Sequence, residues 1–135
     1  MKKLNNKGFT LVEIVIVIVI IAILAAMLVP SLTAWIDKSK TKTFTSACGT
    51  IKTAVWSQAA EAYAVDGTVP TIDNLKYDEI TNDVGKDVKK ASGGDYNITV
   101  FDYSNDKITI VDKTGKFTGV WDGKTSQSWN VTNSK

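Results

Sequence analysis

The chain has 135 residues, room for one domain rather than two, and carries 16 Lys and no Arg against 14 acidic residues. Lysine lacks the planar guanidinium that grips phosphate and guanine in two places, so the composition argues against a specific nucleic-acid-binding protein. Histidine, the commonest general base and transition-metal ligand, is absent. The single cysteine, Cys48, excludes an intrachain disulfide. Because no catalytic triad, phosphate-binding loop or zinc site is recognisable, we expect no enzymatic activity and no cofactor.

The N-terminal segment combines a short polar motif with a long apolar run. Lys7-Gly8-Phe9-Thr10-Leu11-Val12-Glu13 leads directly into apolar residues that continue to Val29. Residues 9–29 would span about 31 Å as a helix, which matches a hydrocarbon core of roughly 30 Å. An ionisable group at membrane depth costs roughly 2.5–3.5 kcal/mol, and the sequence therefore predicts a functional role for Glu13.

The helical pattern continues beyond Pro30, which we expect to bend or locally open the helix without ending it. Asp66-Gly67 is a helix stop and Pro70 a further break, so the pattern predicts one helix from Phe9 to Val65. Lys40 occupies a position where the stripe predicts an apolar residue, whereas Cys48 is expected to be a small buried apolar side chain. The stripe, with spacings mostly of three or four, comprises Leu32, Ile36, Phe44, Ala47, Cys48, Ile51, Val55, Ala59 and Ala62.

The remaining sequence predicts a short element and a small sheet. Ile72, Leu75 and Ile80 could anchor a short helix or turn. Turn-forming pairs then separate four strand-like runs, so sequential antiparallel pairing is the simplest topology. The runs are Tyr96–Tyr103, Lys107–Asp112, Lys116–Trp121 and Gln127–Thr132. One apolar face, expected to pack on the second half of the long helix, would comprise Ile98, Val100, Ile108, Ile110, Phe117 and Trp121. The expected class is α+β.

The N-terminal motif closely resembles the class III signal of type IV prepilins and pseudopilins. The resemblance implies a leader of residues 1–8, including Lys2, Lys3 and Lys7, that prepilin peptidase removes by cleavage between Gly8 and Phe9. It implies N-methylation of Phe9, a membrane and later filament-core helix over residues 9–29, and a pilin-like globular domain over residues 30–135. The long helix with an antiparallel sheet is the architecture of this family.

The resemblance also implies partners and a location. Glu13, Phe9 and Pro30 are the expected assembly residues. The Glu13 carboxylate would pair with the Phe9 amine of a neighbouring subunit, and pairing with its own N-terminus is the competing possibility. The partners would be other copies in a helical filament, prepilin peptidase/methyltransferase, membrane lipid before assembly, an inner-membrane assembly platform and an assembly ATPase. The N-terminus would be cytoplasmic before assembly, and the finished pilus extracellular.

Several functions share this signal. A structural subunit of a type IV pilus is our first interpretation, and a major-type pseudopilin of a type II secretion system is the alternative. A competence pseudopilin for DNA uptake fits the balanced charge and the lack of Arg less well. A monomeric membrane-anchored domain would leave the motif from Gly8 to Glu13 unexplained.

Other candidate residues have simpler interpretations. Two acidic clusters, Asp102 with Asn105 and Asp106, and Asp78 with Glu79 and Asp83, lack the ligand spacing of a calcium loop, so we expect no metal site. Five aromatic residues are interpreted as packing residues, with subunit contact a further possibility for the three on the helix. These are Trp121 and Trp129 in the sheet and Trp35, Trp56 and Tyr63 on the helix; Trp35 could also lie at the membrane surface.

Overall fold

The computed structural model describes residues 8–134, so the leader lysines Lys2, Lys3 and Lys7 lie outside the described residues. The chain divides into two compact units, with the boundary between Lys38 and Ser39. The helices are α1 (Leu11–Asp66) and α2 (Tyr77–Val84); the strands are β1 (Val88–Lys90), β2 (Tyr96–Asp102), β3 (Lys107–Asp112), β4 (Phe117–Asp122) and β5 (Ser126–Asn133).

Helix α1 confirms the predicted long helix. It begins at Leu11, two residues later than expected, and continues through Pro30 as one helix. It ends at Asp66, where Gly67 adopts a left-handed φ of 64° and its amide donates to the Tyr63 carbonyl oxygen at 2.8 Å. Glycine suits this position because a side chain disfavours left-handed backbone.

The core lies in the second unit, between α1 and one face of the sheet. The predicted stripe is buried at Phe44, Cys48, Ile51, Val55 and Ala59, and Ala54 joins it. Ala47 and Ala62 are half-buried. The core cluster is completed from outside α1 by Leu75, Ile80, Val88, Ile98, Ile108 and Ile110. Burying these apolar side chains supplies the main driving force for folding of this unit.

The α+β class and the packing of α1 on a small sheet are confirmed, but the sheet has five strands and is mixed. Its order is β1-β2-β3-β4-β5. The four predicted strands are β2 to β5, and they pair antiparallel in sequence order. The unanticipated β1 has three residues and pairs parallel to β2. Helix α2 is the expected short element, with Ile80 buried on it.

The connection from β1 to β2 is compact for a parallel pair. It places Ala91 and Gly93 at positive φ, 64° and 98°. The buried Asn97 side chain accepts a hydrogen bond from the Gly94 amide at 2.9 Å and donates to its carbonyl at 3.3 Å. A Cβ on Gly94 would lie 2.8 Å from the Asp87 carbonyl oxygen, so this close return of the chain needs a glycine there.

A bulge in β2 corrects one part of the predicted apolar face. The register moves from Ile98 opposite Ile110 to Val100 opposite Thr109, so one extra residue lies on β2. Side chains alternate between faces, and an extra residue therefore reverses every later position. Val100 is consequently 42% exposed, whereas Phe101 packs against the core.

Candidate processing and assembly site

Gly8 and Phe9 precede the first turn of α1. Both are exposed, and the Phe9 side chain retains 83% of its accessible surface. A Cβ added to Gly8 would meet no atom within 4 Å. The peptide bond between the two residues therefore lies in accessible, non-helical chain, which is the form that a peptidase requires.

Thr10 and Glu13 form a reciprocal cap at the start of α1. The Thr10 amide and hydroxyl both donate to Glu13 Oε2 at 2.8 Å, and the Glu13 amide donates to Thr10 Oγ1 at 3.3 Å. This arrangement is a capping box, in which an N-terminal Thr and a Glu three residues later satisfy each other's backbone amides. It explains why the helix begins at Leu11 and not at Phe9.

The capping box is a functional feature that our sequence reasoning missed. The spacing Thr-x-x-Glu before an apolar run is its known signature and was visible in the sequence at Thr10 and Glu13. The hydrogen bonds that the Glu13 carboxylate accepts go to Oε2. An ionised carboxylate has about four acceptor sites, so Glu13 can cap its own helix and still accept a cation.

The N-terminal part of α1 presents apolar surface on every side. Among the described residues from Leu11 to Val29, the large apolar side chains are all between 44% and 80% exposed. This segment is long and apolar enough to cross a membrane. No part of its most apolar 18-residue stretch is buried by the rest of the chain. A surface of this extent needs lipid or other protein to cover it.

Pro30 lies inside α1, as the sequence predicted. Its missing amide removes one hydrogen bond to the carbonyl four residues earlier. Nearby hydroxyls bind other carbonyls of the same stretch: Ser31 Oγ donates to the Leu28 oxygen at 2.9 Å, and Thr33 Oγ1 donates to the Pro30 oxygen at 3.0 Å. The helix continues past Pro30 to Asp66.

Cys48 is a core side chain, as predicted. It is fully buried, and burial raises the pKa of its thiol to about 12. The thiol therefore stays protonated at neutral pH, which removes the thiolate needed for nucleophilic or metal chemistry.

One acidic cluster supports the turn between β2 and β3, whereas Asp78, Glu79 and Asp83 lie on α2. Asp102 accepts hydrogen bonds from the amide and side chain of Asn105, at 3.1 and 2.6 Å. Asp106 accepts one from the Trp121 indole at 3.2 Å and lies 3.7 Å from Lys52 Nζ. Across the described residues, no three His, Cys, Asp or Glu side chains are grouped to hold a metal ion.

The tryptophans of the second unit are packing residues, as expected. Trp56, Trp121 and Trp129 contact the core cluster, and Lys52 Nζ lies 3.8 Å from the centre of the Trp121 ring. Trp35 is 68% exposed on the first unit. The contacts of Trp56, Trp121 and Lys52 hold α1 against the sheet through aromatic and cation–π packing.

These features describe a chain with an accessible peptide bond, a capped carboxylate and an uncovered apolar helix at its N-terminal end. The family model described as the prokaryotic N-terminal methylation motif matches residues 3–29. No curated protein and no solved structure gave a significant match to the chain.

The chain therefore carries the class III prepilin signal. This signal is the one carried by type IV pilin-like and pseudopilin precursors, and the motif indicates a structural protein. The signal implies processing by a peptidase and filament assembly, and together with the apolar helix it fits a membrane-anchored subunit before assembly.

Proposed function

We propose that this chain is a structural subunit of a type IV pilus. Prepilin peptidase cleaves between Gly8 and Phe9, removes residues 1–8 and leaves Phe9 as an N-methylated terminus. Residues 9–29 hold the subunit in the membrane and then form the filament core, while residues 30–135 form the outer domain. An assembly platform and an assembly ATPase extract the subunit, which is inserted with its N-terminus cytoplasmic and ends in an extracellular filament.

The observation that carries this proposal is the uncovered apolar surface of α1 next to the processing motif. A buried Val, Leu or Ile side chain gains about 1.5–3 kcal/mol over an exposed one. More than ten such side chains between Leu11 and Val29 are half or more exposed in the single chain. Extraction from lipid is therefore unfavourable unless equivalent helices surround the segment in a polymer.

Glu13 provides the register of that polymer. Two opposite charges 4 Å apart gain about 4 kcal/mol at an effective dielectric of 20, which offsets the roughly 2.5–3.5 kcal/mol cost of a lone carboxylate at membrane depth. Cleavage creates the required cation at Phe9, because the new amine is protonated at neutral pH and methylation preserves its charge. The free acceptor capacity of the capped Glu13 suits this contact with a neighbouring subunit.

The experiment is electron microscopy of filaments sheared from cells that express the full chain, with mass spectrometry of the subunit's N-terminus. We expect long surface filaments whose subunit begins at Phe9 with one added methyl group. A subunit that retains Met1 would overturn the proposal. Processed subunits in short envelope-bound filaments, together with a defect in protein export on deletion, would assign the chain to a secretion pseudopilus.

Gly8→Phe provides the processing control, because a bulky side chain before the scissile bond blocks close approach of the backbone to the peptidase. We expect the variant to accumulate in the membrane as uncleaved precursor and to form no filaments. Normal cleavage of this variant would remove the assigned role of Gly8.

A further inference from the structure

Two grooves lie at opposite ends of the α1 segment in the second unit. The first, of about 360 Å³, includes Lys40 and Phe44 near the start of that segment and is called the basic groove below. The second, of about 320 Å³, includes Glu61 and Asp66 near its end and is called the acidic groove. Both are formed within residues 39–134.

The basic groove is lined by three lysines and two carboxylates, and two of the lysines are not ion-paired within 4 Å. Of its three lysines, Lys113 pairs with Asp95 at 3.0 Å. Its other carboxylate, Asp112, accepts hydrogen bonds within the β3–β4 turn. Lys40 and Lys86 are exposed, and within the described chain neither makes an ion pair inside 4 Å. Lys40 is also the residue that interrupts the predicted apolar stripe.

The acidic groove has the opposite arrangement. Its one lysine, Lys76, pairs with Glu79 at 3.1 Å. Glu61 and Asp66 are exposed on the last turns of α1, and neither makes a side-chain hydrogen bond or ion pair to another described residue. The second unit thus carries two lysines without an ion pair at one end and two carboxylates without an ion pair at the other.

We propose that the basic groove of one subunit receives the acidic end of α1 from a second copy of this chain, pairing Lys40 and Lys86 with Glu61 and Asp66. This contact joins two different surfaces of the same protein. Such a heterologous contact builds an open helical filament when the rotation between successive subunits does not close into a ring. The inference rests on the proposed polymerisation and assigns a contact in the outer domain to it.

The neighbour that makes this contact differs from the one that meets Glu13. Lys40 and Glu61 are 21 positions apart on one helix, an axial offset of about 31 Å at 1.5 Å per residue. Phe9 and Glu13 are only four positions apart, an offset of about 6 Å on the same scale. A subunit in a helical filament has neighbours at several axial offsets, so one assembly can satisfy both contacts.

The charges contribute orientation and register more than affinity. An exposed ion pair typically contributes about 0.2–1 kcal/mol, whereas like charges placed together suppress a wrong arrangement more strongly. Reversing the sign at one end should therefore harm assembly more than simple removal. Reversing both ends should restore it.

The experiment compares yields of sheared filaments from cells that express the full chain. Variants K40E/K86E and E61K/D66K each place like charges together, and we expect about a tenfold or greater loss of filaments for each. The quadruple variant K40E/K86E/E61K/D66K restores opposite charges, and we expect recovery to within about threefold of wild type. Immunoblots of processed subunit in the membrane fraction confirm that each variant is produced and cleaved.

Single charge reversals outside the two grooves are the controls: K116E for the basic side and D83K for the acidic side, both at exposed positions. We expect wild-type yields from both. Loss in the double variants without recovery in the quadruple variant would overturn the subunit contact and assign the lysines to another anionic partner. Wild-type yields in all variants would overturn it too, whereas absence of filaments from the wild type would contradict the proposed function itself.

Discussion

Gly119 shows how one residue sets the distance between helix and sheet. It is buried in the middle of β4, where an added Cβ would lie 3.0 Å from Cys48 Sγ and 3.2 Å from Phe44 Cε1. Both neighbours are fully or nearly fully buried and cannot move into solvent. Close approach of α1 to the sheet therefore depends on the missing side chain at position 119.

We expect Gly119→Val to lower the free energy of unfolding of the full chain in detergent by about 1–3 kcal/mol, because overpacking forces the core apart. Chemical denaturation followed by near-ultraviolet circular dichroism measures the change. Gly49→Ala is the matched control. It lies in α1 with no atom within 4 Å of an added Cβ, so it should stabilise by up to about 1 kcal/mol. Equal destabilisation by both substitutions would contradict this account of Gly119.

Thr10 supports Glu13 at the other end of the chain. Loss of an N-cap side chain costs about 0.5–2 kcal/mol of helix stability. In Thr10→Ala, the Glu13 amide should lose the hydroxyl to which it now donates a hydrogen bond. Amide hydrogen exchange in lipid nanodiscs should show faster exchange at Glu13. Thr10→Ser keeps the hydroxyl and should exchange like wild type. Identical exchange in both variants would mean that the cap does not hold the first turn.

At the scale of elements, the β3–β4 turn is stabilised by one carboxylate. Burial alone would raise the pKa of Asp112, but hydrogen bonds from the Thr114 hydroxyl and from the Phe117 and Thr114 amides outweigh burial and lower it. A lowered folded-state pKa means that the ionised form stabilises the fold. This contribution is present above the unfolded pKa of about 3.9 and is lost as the pH falls through the folded value.

Asp112→Asn should therefore flatten the dependence of stability on pH below about 4 while lowering stability at pH 7. Denaturation midpoints measured between pH 2 and pH 7, a range set by the reference carboxyl pKa values, test both effects. If the stability of Asp112→Asn still falls below about pH 4 as it does in the wild type, the turn does not titrate through this carboxylate.

At the scale of the whole molecule, two roles of Glu13 can be separated: capping its own helix and pairing by charge with another subunit. Glu13→Gln keeps a capping-box residue but removes the charge, whereas Glu13→Val removes both. If the carboxylate pairs with the Phe9 amine of another subunit, both variants should be processed normally and lose about tenfold or more of their filaments. Immunoblots of cleaved subunit and counts of sheared filaments measure the two steps. Wild-type filament yield from Glu13→Gln would contradict the charge pairing and leave only the cap.

The predicted elements with strong local signals were found in the fold. The apolar stripe from Phe44 to Ala59, the stop at Asp66-Gly67 and the strands β2 to β5 each depend on periodicity or turn residues within a few positions. The short strand β1 and the exposure of Val100 were not predicted. Both depend on how neighbouring strands pair, for which three residues of sequence or one extra residue in a strand carry no separate signal.

The sequence by itself determined the prepilin signal, the apolar span and the side of the second half of α1 that is buried, because each is written in adjacent residues or in one helical period. The tertiary structure decided which distant residues meet and which surfaces remain available. It brought Gly119 against Cys48 and left lysines and carboxylates available in two separate grooves. Those arrangements depend on the distances between side chains after folding, which spacing along the chain does not contain.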